Sequence, residues 1–163
     1  MTLPSPPAER PSRPRTASRV AAVQALFQAE QADQRIETVL AEFIRHRLGD
    51  PPGAGGFAEG RVPHAEVALF SRILRAAAVP EPLDREIAAA LPPDWPLPRL
   101  DPVLRALLRA AVAELGMSDG PPAKVVINEY LDIAHGFLSE EGGKLANGVL
   151  NRISRAHRPS EFL

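Results

Sequence analysis

The sequence contains no cysteine, which excludes disulfide scaffolds, zinc ribbons, iron–sulfur clusters and thiol catalysis. It also lacks the run of roughly 18 uncharged apolar residues that a membrane span needs. Even the apolar stretch Ala106–Leu115 is interrupted by Arg109 and Glu114. The N-terminus carries proline and arginine where a secretory signal would place its apolar segment. These absences predict a soluble, cytoplasmic protein.

No sign of charge dominates the chain. The 19 basic and 20 acidic residues give a formal net charge of −1, so the whole molecule lacks the positive charge typical of nucleic-acid binders. Residues 1–20 differ, because they hold four arginines, at positions 10, 13, 15 and 19, and one acid, for a local charge of +3. Residues 1–15 are rich in proline, which disfavours helix and strand. We therefore predict a flexible basic arm over 1–15.

Apolar residues recur with a helical period, and no sustained alternation of apolar and polar residues occurs. This pattern predicts an all-α protein of about seven helices in two packed bundles. The helices are expected at about 16–31, 35–48, 64–79, 83–91, 102–115, 122–138 and 143–156. Thr16 or Ser18 is expected as the first N-cap. A loop is expected at 49–63, and Pro80 is expected to end the third helix.

The clearest helix start is Asp101-Pro102, which combines an N-cap carboxylate with proline at the first helical position. The helix that follows has an apolar stripe wide enough for the centre of a core. We predict that four of its leucines are buried: Leu104, Leu107, Leu108 and Leu115.

No motif assembles a catalytic or metal site. The histidines at positions 46, 64, 135 and 157 are scattered without metal-ligand spacing. Residues 53–58 formally fit a dinucleotide fingerprint, but Pro51 and Pro52 precede them where that fingerprint needs a strand. No nucleophile, base and oxyanion site come together. We predict a protein that is not an enzyme and holds no cofactor or metal.

Two segments indicate a contact function. Arg15 and Arg19 lie one helical turn apart, and the guanidinium fork suits phosphate, although a solubilising tail has the same composition. Gly148 falls inside a helical period, where glycine costs about 1 kcal/mol relative to alanine. Either another helix approaches closely at Gly148, or Lys144 and Asn147 belong to an exposed contact surface.

Five segments resemble those of the NusB transcription antitermination factors, in the same order over about residues 15–155. The opening AVQALF resembles the family's first helix, KVVINE its KVxINE segment and NGVL its signature near the end. The segments are Ala22–Phe27, Phe70–Leu74, Leu104–Glu114, Lys124–Glu129 and Asn147–Leu150.

The resemblance implies two helical subdomains, here 16–80 and 81–163. It also implies binding of the boxA element of nascent RNA together with the small-subunit ribosomal protein NusE. That complex helps RNA polymerase read through terminators, notably in ribosomal RNA synthesis, and some family members form homodimers that cover the RNA surface. The protein partner would bind around 83–91 and 101–115. By position, the RNA contacts would be Arg15, Arg19, Gln24, Phe27, Glu141, Lys144, Leu145 and Asn147.

The chain departs from the family pattern at several of these positions. Leu145 stands where an aromatic residue is usual, which removes a platform for base stacking. Phe27 stands where tyrosine is common, and the third helix has Ser71-Arg72 where the family usually carries an acid. We predict that Arg15, Arg19 and Lys144 form one basic surface and that the Phe27 ring stacks on a base.

Two other functions remain open. A helical adaptor that binds proteins but not RNA is compatible with the near-zero net charge. NusB-like domains also form the N-terminal part of a ribosomal RNA cytosine methyltransferase. That enzyme would need a Rossmann-like domain with a Gly-rich cofactor loop and a catalytic cysteine, and neither occurs in these 163 residues.

Overall fold

The computed structural model describes residues 14–48 and 65–163, and helices are the regular elements in those ranges, joined by turns and irregular connections. Two short 3-10 turns, Leu97–Arg99 and Pro159–Phe162, accompany the α-helices. The α-helices are α1 (Pro14–Ala32), α2 (Ile36–His46), α3 (Val67–Ala76), α4 (Pro80–Ala90), α5 (Pro102–Leu115), α6 (Ala123–Phe137) and α7 (Glu140–His157). The predicted all-α fold of about seven helices is confirmed. The predicted 49–63 loop, the 53–58 motif and His64 lie outside the described residues.

The predicted start of the first helix is wrong. Helix α1 already includes Pro14 and Arg15, the last two residues assigned to the arm, and the rest of that arm lies outside the described residues. Neither expected N-cap acts as one. The Thr16 hydroxyl donates to Glu129 Oε2 at 2.8 Å, and the Ser18 hydroxyl lies 2.7 Å from the Pro14 carbonyl oxygen. The Ser18 oxygen also accepts the Glu66 N–H at 2.7 Å, so both hydroxyls have a partner that is distant along the chain.

Two other helix starts differ from prediction for local reasons. Pro80 begins α4 instead of ending α3, because proline at the first helical position loses no helical hydrogen bond. Helix α7 begins at Glu140, three residues before the predicted start. Its N-cap is Ser139, whose side-chain oxygen accepts the Gly142 N–H at 3.1 Å.

Helix α5 lies at the centre of the molecule. The Asp101 carboxylate accepts the N–H groups of Val103 at 2.8 Å and Leu104 at 3.3 Å, as the Asp-Pro start predicts. Helix α5 packs against α1, α3, α4, α6 and α7. The four leucines predicted as core are all buried.

The helices form two groups that α5 joins. Helices α1, α2 and α3 pack on one another. Helices α4 and α6 each pack on both α5 and α7. The buried side chains form one continuous cluster across both groups, because α1 packs extensively along α5. The subdomain boundary at residues 80 and 81 falls between α3 and α4 and stays a prediction. Among the described helices, none is long and apolar enough to cross a membrane.

Candidate functional site

Helix α1 exposes few of its residues, because it packs against α2, α3, α5 and α6. Arg15 in its first turn and Gln24 near its middle are exposed. Phe27, one turn after Gln24, is partly buried against the core. Three of the predicted contact residues of α1 therefore reach solvent, although the Phe27 ring does so only in part.

Arg19 lies in the interior instead. It is 3% exposed, and its Nε donates to both oxygens of Glu114 at 3.1 and 3.0 Å, while Nη2 donates to Oε1 at 2.6 Å. The Tyr130 hydroxyl donates to Glu114 Oε2 at 2.8 Å. The predicted exposed position of Arg19 is wrong, because the spacing of Arg15 and Arg19 cannot reveal a carboxylate that comes from α5.

Burial and ion pairing fix the protonation states of this cluster. Burial alone would lower the pKa of Arg19, but the hydrogen bonds and negative charge of Glu114 outweigh it and raise that pKa. Burial, together with the charge of Glu114 and the hydrogen bond to it, raises the pKa of the Tyr130 phenol well above its ordinary value. Arg19 is therefore charged and Tyr130 is neutral at physiological pH.

Glu129 extends the buried cluster to the surface. Its Oε2 lies 3.4 Å from Arg19 Nη1 and accepts the Thr16 hydroxyl at 2.8 Å. Glu129 ends the KVVINE segment, for which the sequence offered a family resemblance but no physical role. The structure supplies that role, since Glu129 ties the first turn of α1 to α6.

Exposed Arg15 has only a weak partner. Its Nε lies 3.6 Å from Glu66 Oε2, and its side chain is 69% exposed. Arg15, Arg19 and Arg72 line one cavity of about 120 Å³ between α1, α3 and the turn after α5. Arg72 donates to Asp119 Oδ1 at 2.6 Å. Because each of these arginines has a carboxylate partner, the cavity itself is not a strongly positive site.

The first turns of α7 carry the second group of predicted contacts. Glu141, Lys144 and Asn147 are exposed, and Leu145 is partly buried against the core. The Lys144 ammonium is 3.7 Å from Glu140 Oε1 and its side chain is 77% exposed, so this ion pair holds it weakly.

Gly148 lies on an open face of α7. A Cβ atom built there would meet nothing within 4 Å, so the predicted close approach of another helix is wrong among the described residues. Beside it, Asn151 Nδ2 donates to the Asn147 carbonyl oxygen at 2.9 Å and to its Oδ1 at 2.7 Å. This geometry leaves the exposed contact surface as the remaining explanation for the glycine.

Helix α6 lies between the predicted contact residues of α1 and those of α7 along the chain. It contacts the first turn of α1 through Glu129 and leads directly to Ser139, the N-cap of α7. The exposed residues at the starts of α1 and α7 therefore flank one helix. The burial of Arg19 removes it from the predicted basic surface, and a surface shared by Arg15 and Lys144 stays a prediction.

A second charged cluster lies at the other end of α1. Arg105 Nε donates to both Glu30 oxygens at 2.9 Å, and Arg109, which also contacts Glu30, donates to Asp84 through Nε at 2.8 Å and Nη2 at 2.9 Å. The hydrogen bond from Arg105 is the main reason that the pKa of Glu30 is lowered. Sequence reasoning missed this cluster, because its members are distant along the chain. It joins α1, α4 and α5 close to the region predicted to bind a protein.

A groove of about 640 Å³ runs between α4 and α7. His157 Nε2 lies 2.8 Å from Glu86 Oε2 at its edge, and Arg152 Nη1 donates to the Ala90 carbonyl oxygen at 2.7 Å. Alanines of α4 form part of its lining. The groove therefore borders the helix at 83–91 that the resemblance assigns to a protein partner. No group of three or more potential metal ligands occurs in the described part of the chain.

Comparisons with known proteins agree with this architecture. The sequence profile of the NusB family matches residues 16–155. The chain is 61% identical over 154 residues to the transcription antitermination protein NusB of Granulibacter bethesdensis, covering 94% of each chain. It is 48% identical to the protein of that name from Gluconobacter oxydans, covering 95% of this chain and 96% of the relative. The structure of T. maritima NusB superposes with a TM-score of 0.72 at 30% identity, covering 93% of this chain and 98% of that one. The chain belongs to the NusB family.

Proposed function

We propose that this protein is a cytoplasmic transcription antitermination factor that binds boxA-type single-stranded RNA together with the ribosomal protein NusE. It would act within the antitermination complex of RNA polymerase and support ribosomal RNA transcription. The observation that carries the proposal is the pair of exposed, weakly held cations, Arg15 and Lys144, at the two helix starts that flank α6.

The exposed residues offer the chemistry that single-stranded RNA requires. Arg15 and Lys144 neutralise phosphates. The amides of Gln24 and Asn147 can both donate to and accept from base edges, and the Glu141 carboxylate can accept from an exocyclic amino group. Arg19 does not touch the RNA in this proposal. Its ion pairs with Glu114 and Glu129 instead hold α1 against α5 and α6.

The region around α4 and the last turns of α7 is proposed to bind the protein partner. The groove between α4 and α7 and the adjoining start of α5 present both apolar and charged groups there. A rigid partner site is supported by the Glu30–Arg105–Arg109–Asp84 cluster, since its ion pairs join three helices.

Anisotropy titrations with a labelled boxA-type RNA, with and without NusE, test this function. Arg15→Ala and Lys144→Ala should each weaken binding and lower the slope of log affinity against log salt by roughly 0.7. Arg35→Ala is the matched control, because it removes one exposed cation before α2, outside both proposed binding surfaces. Equal binding by all variants and by a scrambled RNA would contradict the proposal and favour the adaptor that binds only proteins.

A further inference from the structure

The last turn of α6 carries an exposed aromatic ring that none of the proposed contacts uses. Phe137 is 55% exposed. The other phenylalanines of the described chain are less available, because Phe43 and Phe70 are buried and stack with ring centroids 5.6 Å apart. Phe27 and Phe162 both pack against the core. Phe137 is therefore the phenylalanine whose ring is most open to a planar ligand.

The position of Phe137 distinguishes it from a chance apolar residue on the surface. It lies two residues before Ser139, the N-cap of α7, so its Cα is at most about 7.6 Å from that of the cap. Leu138 packs on the first turn of α7, since its Cβ is 3.4 Å from where a Cβ on Gly142 would lie. The end of α6 therefore lies next to the first turn of α7, which carries Glu141 and leads to Lys144.

The first two turns of α7 contain no aromatic ring on which an RNA base could stack. Leu145 occupies the position where the family usually has a ring, and its side chain is partly buried against the core. An aliphatic side chain has no π-face on which a base can stack. Stacking on an exposed ring is a main source of affinity in single-strand recognition.

We propose that Phe137 is the base-stacking residue of this surface and replaces the aromatic platform that Leu145 does not provide. The inference rests on the proposed RNA-binding function and adds a contact to the same site. Lys144 holds the phosphate backbone on α7, and the ring at the end of α6 receives a base from the adjoining nucleotide. The contact is tolerant of sequence, because every base has a π-face.

The test compares Phe137→Leu with Phe137→Tyr in titrations against a boxA-type RNA. Loss of the ring should weaken binding by about 5- to 150-fold without changing the salt slope, because no charge is removed. Phe137→Tyr keeps the ring and should bind like the parent. In RNAs that carry 2-aminopurine at successive positions, one position should be quenched by the parent and by Phe137→Tyr but not by Phe137→Leu. An abasic nucleotide at that position should abolish the difference between the parent and Phe137→Leu.

Controls separate this inference from the function on which it rests. Trp95→Leu removes an exposed aromatic residue from the connector before α5 and should leave RNA affinity unchanged. Thermal unfolding of every variant checks its folding. If Lys144→Ala weakens binding but Phe137→Leu does not, the inference is overturned and the RNA function stands. If the parent does not bind the RNA, both fail. If Phe137→Leu alters NusE binding or the oligomeric state but not RNA affinity, the ring contacts a protein and the inference is likewise wrong.

Discussion

Arg19, Glu114 and Tyr130 place two charges and a phenol in the interior where α1, α5 and α6 meet. Removing charges from water costs several kcal/mol per ion, and only close pairing with further hydrogen bonds offsets that cost. The Arg19 fork and the Tyr130 hydroxyl supply those bonds to Glu114. At the scale of the residue, Arg19 thus belongs to the core, although it lies one helical turn from the exposed Arg15.

We predict that Glu114→Ala destabilises the protein by about 3–5 kcal/mol, because it leaves the Arg19 guanidinium buried without its main partner. Urea unfolding measures the change. Arg72→Ala breaks the exposed pair with Asp119 and serves as the control, which should change the unfolding free energy little because solvent screens that pair. Similar costs for the two variants would mean that the pairing of Arg19 and Glu114 is not what holds α1 in place.

The packing around the leucines of α5 differs from the packing around Gly148 of α7. The leucines of α5 are buried from several directions, since five other helices pack against it. A Cβ atom built on Gly148 of α7, in contrast, would meet nothing within 4 Å. At the scale of the element, a large side chain stabilises the fold only where other helices pack against its position.

Leu108→Ala in α5 should cost about 2–5 kcal/mol, because it leaves a cavity at a fully buried site. Denaturant unfolding gives the value. Val125→Ala truncates an exposed side chain at the start of α6 and should shift the midpoint little. A small effect for Leu108→Ala would show that α5 is not central to the core.

Gly148→Ala should stabilise α7 by about 0.4–1 kcal/mol, because alanine has the higher helix propensity and its Cβ meets no atom within 4 Å. Gly136→Ala in α6, where the surroundings are equally open, should show a similar gain in thermal unfolding. Destabilisation by Gly148→Ala alone would instead indicate a close neighbour at that face. Weaker RNA binding by a stabilised Gly148→Ala variant would place Gly148 in the contact surface.

The molecule as a whole is held together by charged residues as well as by its core. Glu30, Arg105, Arg109 and Asp84 join α1, α4 and α5. The lowered pKa of Glu30 means that its charged form is favoured by folding. Its contribution to stability is therefore fully present above its unfolded pKa of roughly 4.3 and is lost as the pH falls through the lower folded pKa.

We predict that Glu30→Gln flattens the acid limb of the stability curve. The parent should lose more unfolding free energy between pH 7 and pH 3 than this variant does, because the variant has no carboxylate to protonate at that site. Urea unfolding at a series of pH values gives both curves. Glu37→Gln, at the exposed pair with Arg75, should follow the parent curve closely. Identical curves for the parent and Glu30→Gln would contradict the role assigned to the cluster.

The sequence by itself determined the helical class, most helix positions and the central helix. Apolar periods and the Asp101-Pro102 start depend on neighbours within a few residues, which the sequence displays directly. It also located the family segments and four polar residues that the structure shows to be exposed, namely Arg15, Gln24, Lys144 and Asn147. Only the tertiary structure decided which charged side chains are exposed and which are held in long-range ion pairs. Glu114 reaches Arg19 across 95 positions, and Glu30 pairs with arginines more than 70 positions away. Burial and pairing depend on such long-range neighbours, so local spacing could predict neither the interior position of Arg19 nor the open faces at Gly148 and Phe137.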